Sequence, residues 1–600
     1  MRAKAARPVR IQRIAAKVAR REALRRDRNG WTNKPFKRKE VKSRSRPLIA
    51  YDLETTRIAK GTPRPLYLTA CGADFWVSTR IDSVAHLGQL LVERFLTDDN
   101  LNARFVAWNG NGFDAFFIGA ALLSHKGYIL RPYLTRGKSL RGMRVQDKHD
   151  KKRQWEFLDG IAMTGIVGKK LSEFLDVFTP DMPKLNAPDW DKTTFDPDNE
   201  QHRRYAERDS EGLYHAITRA HNIVFDAFGV PLQPTIGNTG IRIFARHIPH
   251  EVQVWEPPLQ VRDIIRKYAM RGGYCYCMRP YEGPVWKYDL NQAYAAAMRD
   301  AWLPCGRVVQ VGRYLPQATA ALYLVNATNP RNTIPFYYRS LQGKAVFGTT
   351  ALDRAWICAL ELEQLRREGW RIEVLDGYIW DSIFQMREFV DKLERMRMGA
   401  PDGPNGAEGL MYKAIGNNSY GKTVEELDGM ELLLSAEQPD GFHEFQAEDD
   451  LLQHVWFRFK APQLREYHQP QIGMTITAHV RMEVRRAALQ DPDGFLYADT
   501  DCTVFDNPQQ LNIDPKRYGF WKQETDGENY RIITKKVYAS FDAKVKHAKG
   551  ITVRNLTADD FARWYAGQPP KEKQVQRQNF IRVMTGADMF VERSKVGQKL

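Results

Sequence analysis

At 600 residues and 43% hydrophobic content, the chain has material for several packed domains. Charge interrupts every apolar run, which excludes a membrane-spanning helix, and six cysteines are too few for a disulfide scaffold. The net charge of +18 is concentrated at one end: residues 1–47 carry 18 Lys/Arg against 3 Asp/Glu, and the remainder is close to balance. Such a tail fits an arm for nucleic-acid phosphates, the alternative being a solvated leader with no specific role. It lacks the apolar stretch and small-residue cleavage site of a secretion signal. Cys275 and Cys277 are too close together for a zinc knuckle. The expected compartment is a reducing cytoplasm, with no membrane partner.

A first set of acids follows the tail. Leu48–Thr56 reads as an apolar strand ending in Asp52-x-Glu54. Phe105–Asp114 runs from a strand through a Gly/Asn turn to Asp114, and Tyr205 and Asp209 share a face of a helical segment at i and i+4. Four carboxylates from three segments can hold two divalent metals, the clamp used in phosphodiester cleavage, with Tyr205 set to orient a water. These segments resemble the DnaQ-like 3′–5′ proofreading exonucleases. The family patterns Asp-x-Glu, Asn-x-x-x-(Phe/Tyr)-Asp and Tyr-x-x-x-Asp match Asp52/Glu54, Asn109/Phe113/Asp114 and Tyr205/Asp209. The resemblance implies that Thr55, Asn109 and Phe113 hold a frayed single strand. Lys192, in Asp189-Trp190-Asp191-Lys192, is a candidate auxiliary lysine, with a solvated loop lysine the equal alternative.

A second set lies downstream. Val285–Leu290 is a strand carrying Asp289 near its end, and Asn291–Met298 reads as an Ala-rich helix whose first amides can receive phosphate oxygens. In Met411–Lys422, read as a helix, Lys413, Asn417 and Tyr420 fall on one face, a line of cation, amide and aromatic ring that suits a nucleoside triphosphate. Phe495–Phe505 follows the turn Asp491–Gly494, and its Asp499 and Asp501 project to one side of an extended strand. Two carboxylates on one face of a buried hairpin call for a positive group between them, usually a divalent metal.

These segments resemble motifs A, B and C of the family B DNA polymerases. Gln292, Ala293, Ala295, Asn418 and Cys502 depart from the family pattern without removing a metal ligand. The resemblance extends to Lys536-Val537-Tyr538, for the primer end, and to Arg271-Gly272-Gly273, for the template. By the resemblance Asp289, Leu290 and Asp501 form the polymerising metal set and Asp499 supports it, while Asp52, Glu54, Asp114 and Asp209 form the exonuclease set. Tyr294 packs under the sugar, and Arg397 is a substitute for a fingers lysine that faces the triphosphate. The implied cofactor is Mg²⁺, for which Mn²⁺ can substitute.

The implied fold is a multidomain α/β and α+β one: a ribonuclease-H-like exonuclease followed by a right-hand polymerase of palm, fingers and thumb with two insertions. The expected limits are 1–47 for the basic extension, 48–229 for the exonuclease and 230–300 for the first part of the palm. A first insertion at 301–386 would meet a terminal protein, and the fingers span 387–424. A second insertion at 425–470, with hairpin strands near Glu431–Leu434 and Val455–Phe459, would serve processivity and strand displacement. The palm resumes at 471–566, and the thumb is 567–600. Length and layout resemble the protein-primed group of bacteriophages and linear plasmids. That group implies replication of a viral or plasmid genome in a host cytoplasm, expected to be bacterial, by a monomer or a heterodimer with the terminal protein. The alternatives are an RNA- or DNA-primed, or primer-independent, family B polymerase, and a catalytically inactive DNA-binding protein.

Overall fold

Parallel strands bring their carboxyl ends to the same edge of a sheet, and the first sheet uses this. Leu48–Thr55 runs parallel to Arg104–Ala107, which runs parallel to Gln154–Asp159. The structure, a computed structural model, describes residues 46–57, 60–135, 139–186, 194–425, 430–444, 454–459, 465 and 467–597. Most of the basic tail and Lys192 lie outside the described residues. Antiparallel strands Pro65–Gly72 and Phe75–Arg80 extend the sheet on one side, and Leu140–Asp147 and Tyr128–Leu134 on the other. The helix Glu200–Phe228, capped by the Asn199 side chain and ended by left-handed Gly229, packs across it.

The second sheet is antiparallel. Its order among the described residues is Lys546–Ala548, Val537–Ser540, Glu528–Thr534, Tyr281–Leu290, Cys502–Phe505, Phe495–Thr500 and Tyr274–Cys277. The helices Ala293–Asp300, Ala407–Ser419 and Pro470–Ala488 cover it, and one hydrophobic core runs from Ala50 and Val106 through Phe228 and Ile415 to Phe505. The two sheets are thus joined by shared packing as well as by the chain.

Residues 303–384 form a sheet of their own, ordered Leu303–Val311, Arg371–Phe384, Ala321–Thr328 and Ala351–Cys358, with the helix Ala359–Arg367 against it. Met430–Leu434 and Val455–Phe459 pair antiparallel, as the hairpin expectation has it. The pair is not free-standing: Leu434 bridges Leu130 and adds these strands to the edge of the first sheet. The carboxyl-terminal segment, with the hairpin of Lys571–Arg577 and Phe590–Val596, also docks beside the first sheet. Gly61 and Phe590 exchange two backbone hydrogen bonds of 3.0 Å, and Phe580 meets Phe116 edge-on at 5.3 Å. No helix among the described residues is long and apolar enough to cross a membrane.

Candidate active sites

Parallel alignment delivers the first acid cluster. Asp52 and Glu54 lie at the end of their strand, beside the turn that follows Ala107. In that turn Asn109 is left-handed (φ 61°), and a side chain at Gly112 would lie 2.4 Å from Asn109 Oδ1. Asp114 opens the next helix, and its Oδ1 accepts a 3.2 Å bond from the Leu53 amide. The Thr69 hydroxyl meets Ser210 Oγ at 2.7 Å and donates to the Ala206 carbonyl at 3.1 Å, which pins the long helix on the sheet and brings Asp209 to Asp52. Thr55 ends the first strand, and Phe113 packs edge-on against Phe117 at 5.1 Å.

The cation of this site is Lys184. Its Nζ pairs with Asp209 Oδ2 and stands 4.7 Å from the Tyr205 ring centroid. Lys192, the candidate auxiliary lysine of the sequence, lies outside the described residues; among those described, Lys184 is the lysine paired with this cluster.

Burial, with repulsion from Asp209, raises the Asp52 carboxyl to about 7. Burial, with repulsion from Asp52 and Asp209, raises Glu54 to about 8. Asp114 and Asp209 are raised as well, chiefly by burial. Asp209 Oδ1 is buried with no hydrogen-bond partner. Crowded, desolvated carboxylates with an orphaned oxygen fit a divalent cation in their chemistry. Even so, no group of three His, Cys, Asp or Glu side chains among the described residues is set to hold one ion.

A pH dependence follows. The folded acids keep protons that the unfolded chain has released, so the metal-free protein loses stability as pH rises from about 4 to about 8. Calorimetry without divalent cations is expected to give a lower melting temperature at pH 8 than at pH 5. The fall should be smaller in Asp52→Asn/Glu54→Gln; an identical fall in that variant would contradict the assignment.

The second cluster is built by register. Asp289 lies opposite Cys502, and Cys502 opposite Asp499, across two antiparallel pairs. The Leu290 amide donates to the Asp501 carbonyl at 2.8 Å, which ties the two acidic segments together. Thr500 turns left-handed (φ 69°) between the aspartates. The two aspartates differ. Lys536 Nζ donates to both Asp499 oxygens at 2.6 and 2.8 Å, and the Tyr497 and Thr500 hydroxyls donate at 3.3 and 3.1 Å. These bonds hold the Asp499 carboxyl below its ordinary value. Burial and mutual repulsion raise Asp289 to about 7, and burial with the Asp499 charge raises Asp501 to about 6. Asp289 and Asp501 are therefore the pair left in want of a cation, and Asp499 already has one. Lys413 is close enough to favour the ionised forms of both.

The helix with Lys413 and Asn417 ends at Ser419, and Tyr420 caps it in a helical conformation. Tyr420 stacks on Tyr294 with centroids 4.8 Å apart and planes at 17°. Asn417 Oδ1 and Gln292 Oε1 nearby in this region are buried without a protein partner. Tyr538 stacks on His547 at 5.6 Å and lies 5.9 Å from Tyr497.

Two expected substrate contacts are corrected. Arg397 is 5% exposed, and its guanidinium donates to the Pro404 carbonyl at 3.0 Å and to Asn405 Oδ1 at 3.4 Å. It braces the loop before the Lys413 helix. Arg271 is fully buried, paired with Glu361 and donating 2.8 Å to the Tyr337 carbonyl, so it has no surface to offer a template. Gly272 is exposed. Gly273 is needed for close approach, since a Cβ there would come 2.6 Å from Thr500 Cα.

A cleft of about 1790 Å³ reaches from Asn109 to Asn418 and Lys422 and is faced by Arg104, Arg144, Arg242 and Arg577. Arg46 lies on its wall, 2.8 Å from Glu156.

A family model described as DNA polymerase type B, organellar and viral, matches residues 191–451. A probable DNA polymerase of Neurospora intermedia is 21% identical over 386 residues, 59% of this chain and 39% of that protein. The DNA polymerase of Bacillus phage Nf is 25% identical over 316 residues, 48% of this chain and 51% of that protein. The chain thus spans about half, or less, of the length of these curated relatives. In fold it is similar to phi29 DNA polymerase in complex with primer-template DNA and incoming nucleotides. There the TM-score is 0.69 at 16% identity, covering 92% of this chain and 99% of that one. The orthorhombic crystal form of phi29 DNA polymerase gives 0.68 at the same identity and covers 92% of this chain and 100% of that one. The multidomain α/β polymerase fold expected from the sequence is the one found.

Proposed function

We propose that this chain, a relative of the family B DNA polymerases of protein-primed phage and linear-plasmid type, is a template-directed DNA polymerase with a 3′–5′ proofreading exonuclease. The observation that carries the reading is the division of labour at the second cluster. Asp289 and Asp501 are raised and form no ion pair among the described residues, beside a third aspartate neutralised by Lys536. Mg²⁺, when bound, lowers the pKa of an attacking hydroxyl or water and neutralises a leaving oxygen.

The chain's own groups do the rest. Asp289 and Asp501 would hold the cations for synthesis. Lys413 takes phosphate charge and Asn417 offers an amide beside it. The Tyr294–Tyr420 stack forms the floor for sugar and base, and its rigid contact leaves little room for a 2′-hydroxyl. Lys536 fixes Asp499, and with Tyr538 it borders the primer end. In the other site Asp52, Glu54, Asp114 and Asp209 would hold the cations, and Lys184 fixes Asp209 and the Tyr205 ring that orients the water. A misinserted end is proposed to cross by way of the basic cleft, with Thr55, Asn109 and Phe113 on the frayed strand.

Finer features of the reading are the domain limits, a host cytoplasm as the place of action, and priming by a terminal protein seated on residues 301–386. Purified terminal protein with labelled dAMP tests the last: protein priming makes a covalent protein–nucleotide adduct, and RNA or DNA priming does not. The reading as a whole is tested by extension of a matched primer with one labelled dNTP. Incorporation that follows the templating base and needs Mg²⁺ is expected; incorporation indifferent to the template would overturn it.

The tail is proposed to bind phosphates of DNA entering the cleft. Since Arg46 and Pro47 belong to the fold, the clean deletion removes residues 1–45. Each lost phosphate contact should lower the slope of log affinity against log salt by about 0.7–0.9. An unchanged slope in a filter-binding titration would exclude the phosphate arm.

A further inference from the structure

We infer that the buried Arg271–Glu361–Arg481 cluster is a positioning device for the polymerising carboxylates, fixing the turn that carries Asp499 and Asp501 from the sheet at 303–384. The inference rests on the polymerase reading above. Three parts of the chain meet in it: the segment entering the strand Tyr274–Cys277, the helix Ala359–Arg367, and the palm helix Pro470–Ala488. Arg271 and Glu361 are 0% exposed and Arg481 is 2% exposed.

Charges are buried at a cost that only complete hydrogen bonding offsets, and an apolar trio of similar volume would stabilise the fold as well or better. Here the bonding is dense and directed. Glu361 Oε1 accepts from Arg481 Nη2 at 2.8 Å and Nε at 3.3 Å. Its Oε2 accepts from Arg271 and from the Cys358 amide at 3.2 Å. The remaining arm of Arg481, Nη1, donates to two main-chain carbonyls, Arg271 O at 2.7 Å and Gly272 O at 3.0 Å. A planar guanidinium fork can hold both carbonyls at once; an ammonium cannot match that geometry.

Those carbonyls immediately precede Gly273, which lies against Thr500 so closely that no side chain fits between. Tyr274 then pairs with Thr500, and Cys275 with Asp499. Thr500 is β-branched and left-handed, a conformation that costs energy and persists only when its surroundings impose it. The contact chain therefore runs from Glu361 through Arg481 to the Arg271 and Gly272 carbonyls, to Gly273, to Thr500 and the flanking aspartates. A second bolt holds the same two helices in register. Arg485 donates to both Glu368 oxygens at 2.8 and 2.7 Å, and Arg486 donates to Gln364 Oε1 at 3.0 Å. No step of this chain touches the exonuclease carboxylates.

The test uses the full chain and four variants: Glu361→Gln, Arg481→Met, Arg481→Lys and the apolar triple Arg271→Met/Glu361→Leu/Arg481→Met. Each is measured for dNTP incorporation (kcat and KM), for single-strand excision, and for melting temperature. A reacting group displaced by about 1 Å loses rate by about 10²-fold. The triple variant, free of unpaired buried charge, is expected to melt near the wild-type temperature and to excise at the wild-type rate. Its kcat for incorporation should fall by roughly that 10²-fold with KM for dNTP little changed, the signature of an interaction felt in the transition state. Glu361→Gln and Arg481→Met should lose incorporation in the same sense, and Arg481→Lys, which keeps the charge without the fork, should not restore kcat. A triple variant that incorporates at the wild-type rate would overturn the inference, as would loss of excision in parallel with incorporation at an unchanged melting temperature. Failure of the wild-type chain to incorporate at all would instead count against the polymerase reading.

Discussion

Asp501→Ala is expected to abolish nucleotide incorporation and to leave excision of single strands at its wild-type rate. Asp501 and Asp289 are the two carboxyls whose charged forms are opposed by burial and by a neighbouring aspartate, Asp499 for Asp501 and Asp501 for Asp289. That unfavourable pairing is what a divalent cation relieves, so removing one member removes the reason for the cation to bind there. The expected loss is at least about 10³-fold in rate, roughly 4 kcal/mol of transition-state stabilisation. Asp499→Ala should behave differently. Asp499 is neutralised by Lys536, and its loss frees a lysine to approach Asp501, so incorporation is impaired through misplacement. Equal loss of synthesis in the two variants, with identical dependence on Mg²⁺, would contradict the unequal roles.

The second large effect is the converse. Asp52→Ala with Glu54→Ala should abolish excision, by about 10³-fold or more, and spare template-directed extension. The two sets of acids are built around different sheets, which is why the losses should be separable. Lys184→Met is expected to weaken excision in the same assay, because it strips Asp209 of its cation and Tyr205 of its partner. If the double variant degraded single strands as fast as the wild type, the first cluster would not be the excising site.

Both acid clusters were legible in the sequence because their acids sit at the ends of apolar strands or one helical turn from an aromatic, and such patterns are local. The hairpin strands at 430–434 and 455–459 were legible for the same reason. What could not be read was anything set by long-range pairing. Arg271 looks like a basic residue beside two glycines until Glu361, ninety positions on, is found buried against it. Arg397 ends an amphipathic helix, and only the fold turns it toward Pro404. Lys184 carries no local sign beyond a proline-bounded loop between two helices, whereas Lys192 stands among acids and a tryptophan and drew attention for that reason. Nor did the pattern of Met430–Leu434 disclose that it would extend a sheet whose neighbouring strand lies three hundred residues upstream.

The account's central claim is that one chain carries two separable metal-dependent sites served by the same DNA end. A single substrate tests both: a template annealed to a primer that is labelled at its 5′ end and mismatched at its 3′ end, given with Mg²⁺ and all four dNTPs. The wild-type chain is predicted first to shorten the primer past the mismatch and then to extend it along the template. Asp501→Ala is predicted only to shorten it, and Asp52→Ala/Glu54→Ala neither to remove the mismatch nor to extend it efficiently, while still extending a matched primer. A wild-type chain that shortens the primer but never extends it, or that leaves it unchanged in Mg²⁺, would contradict the account.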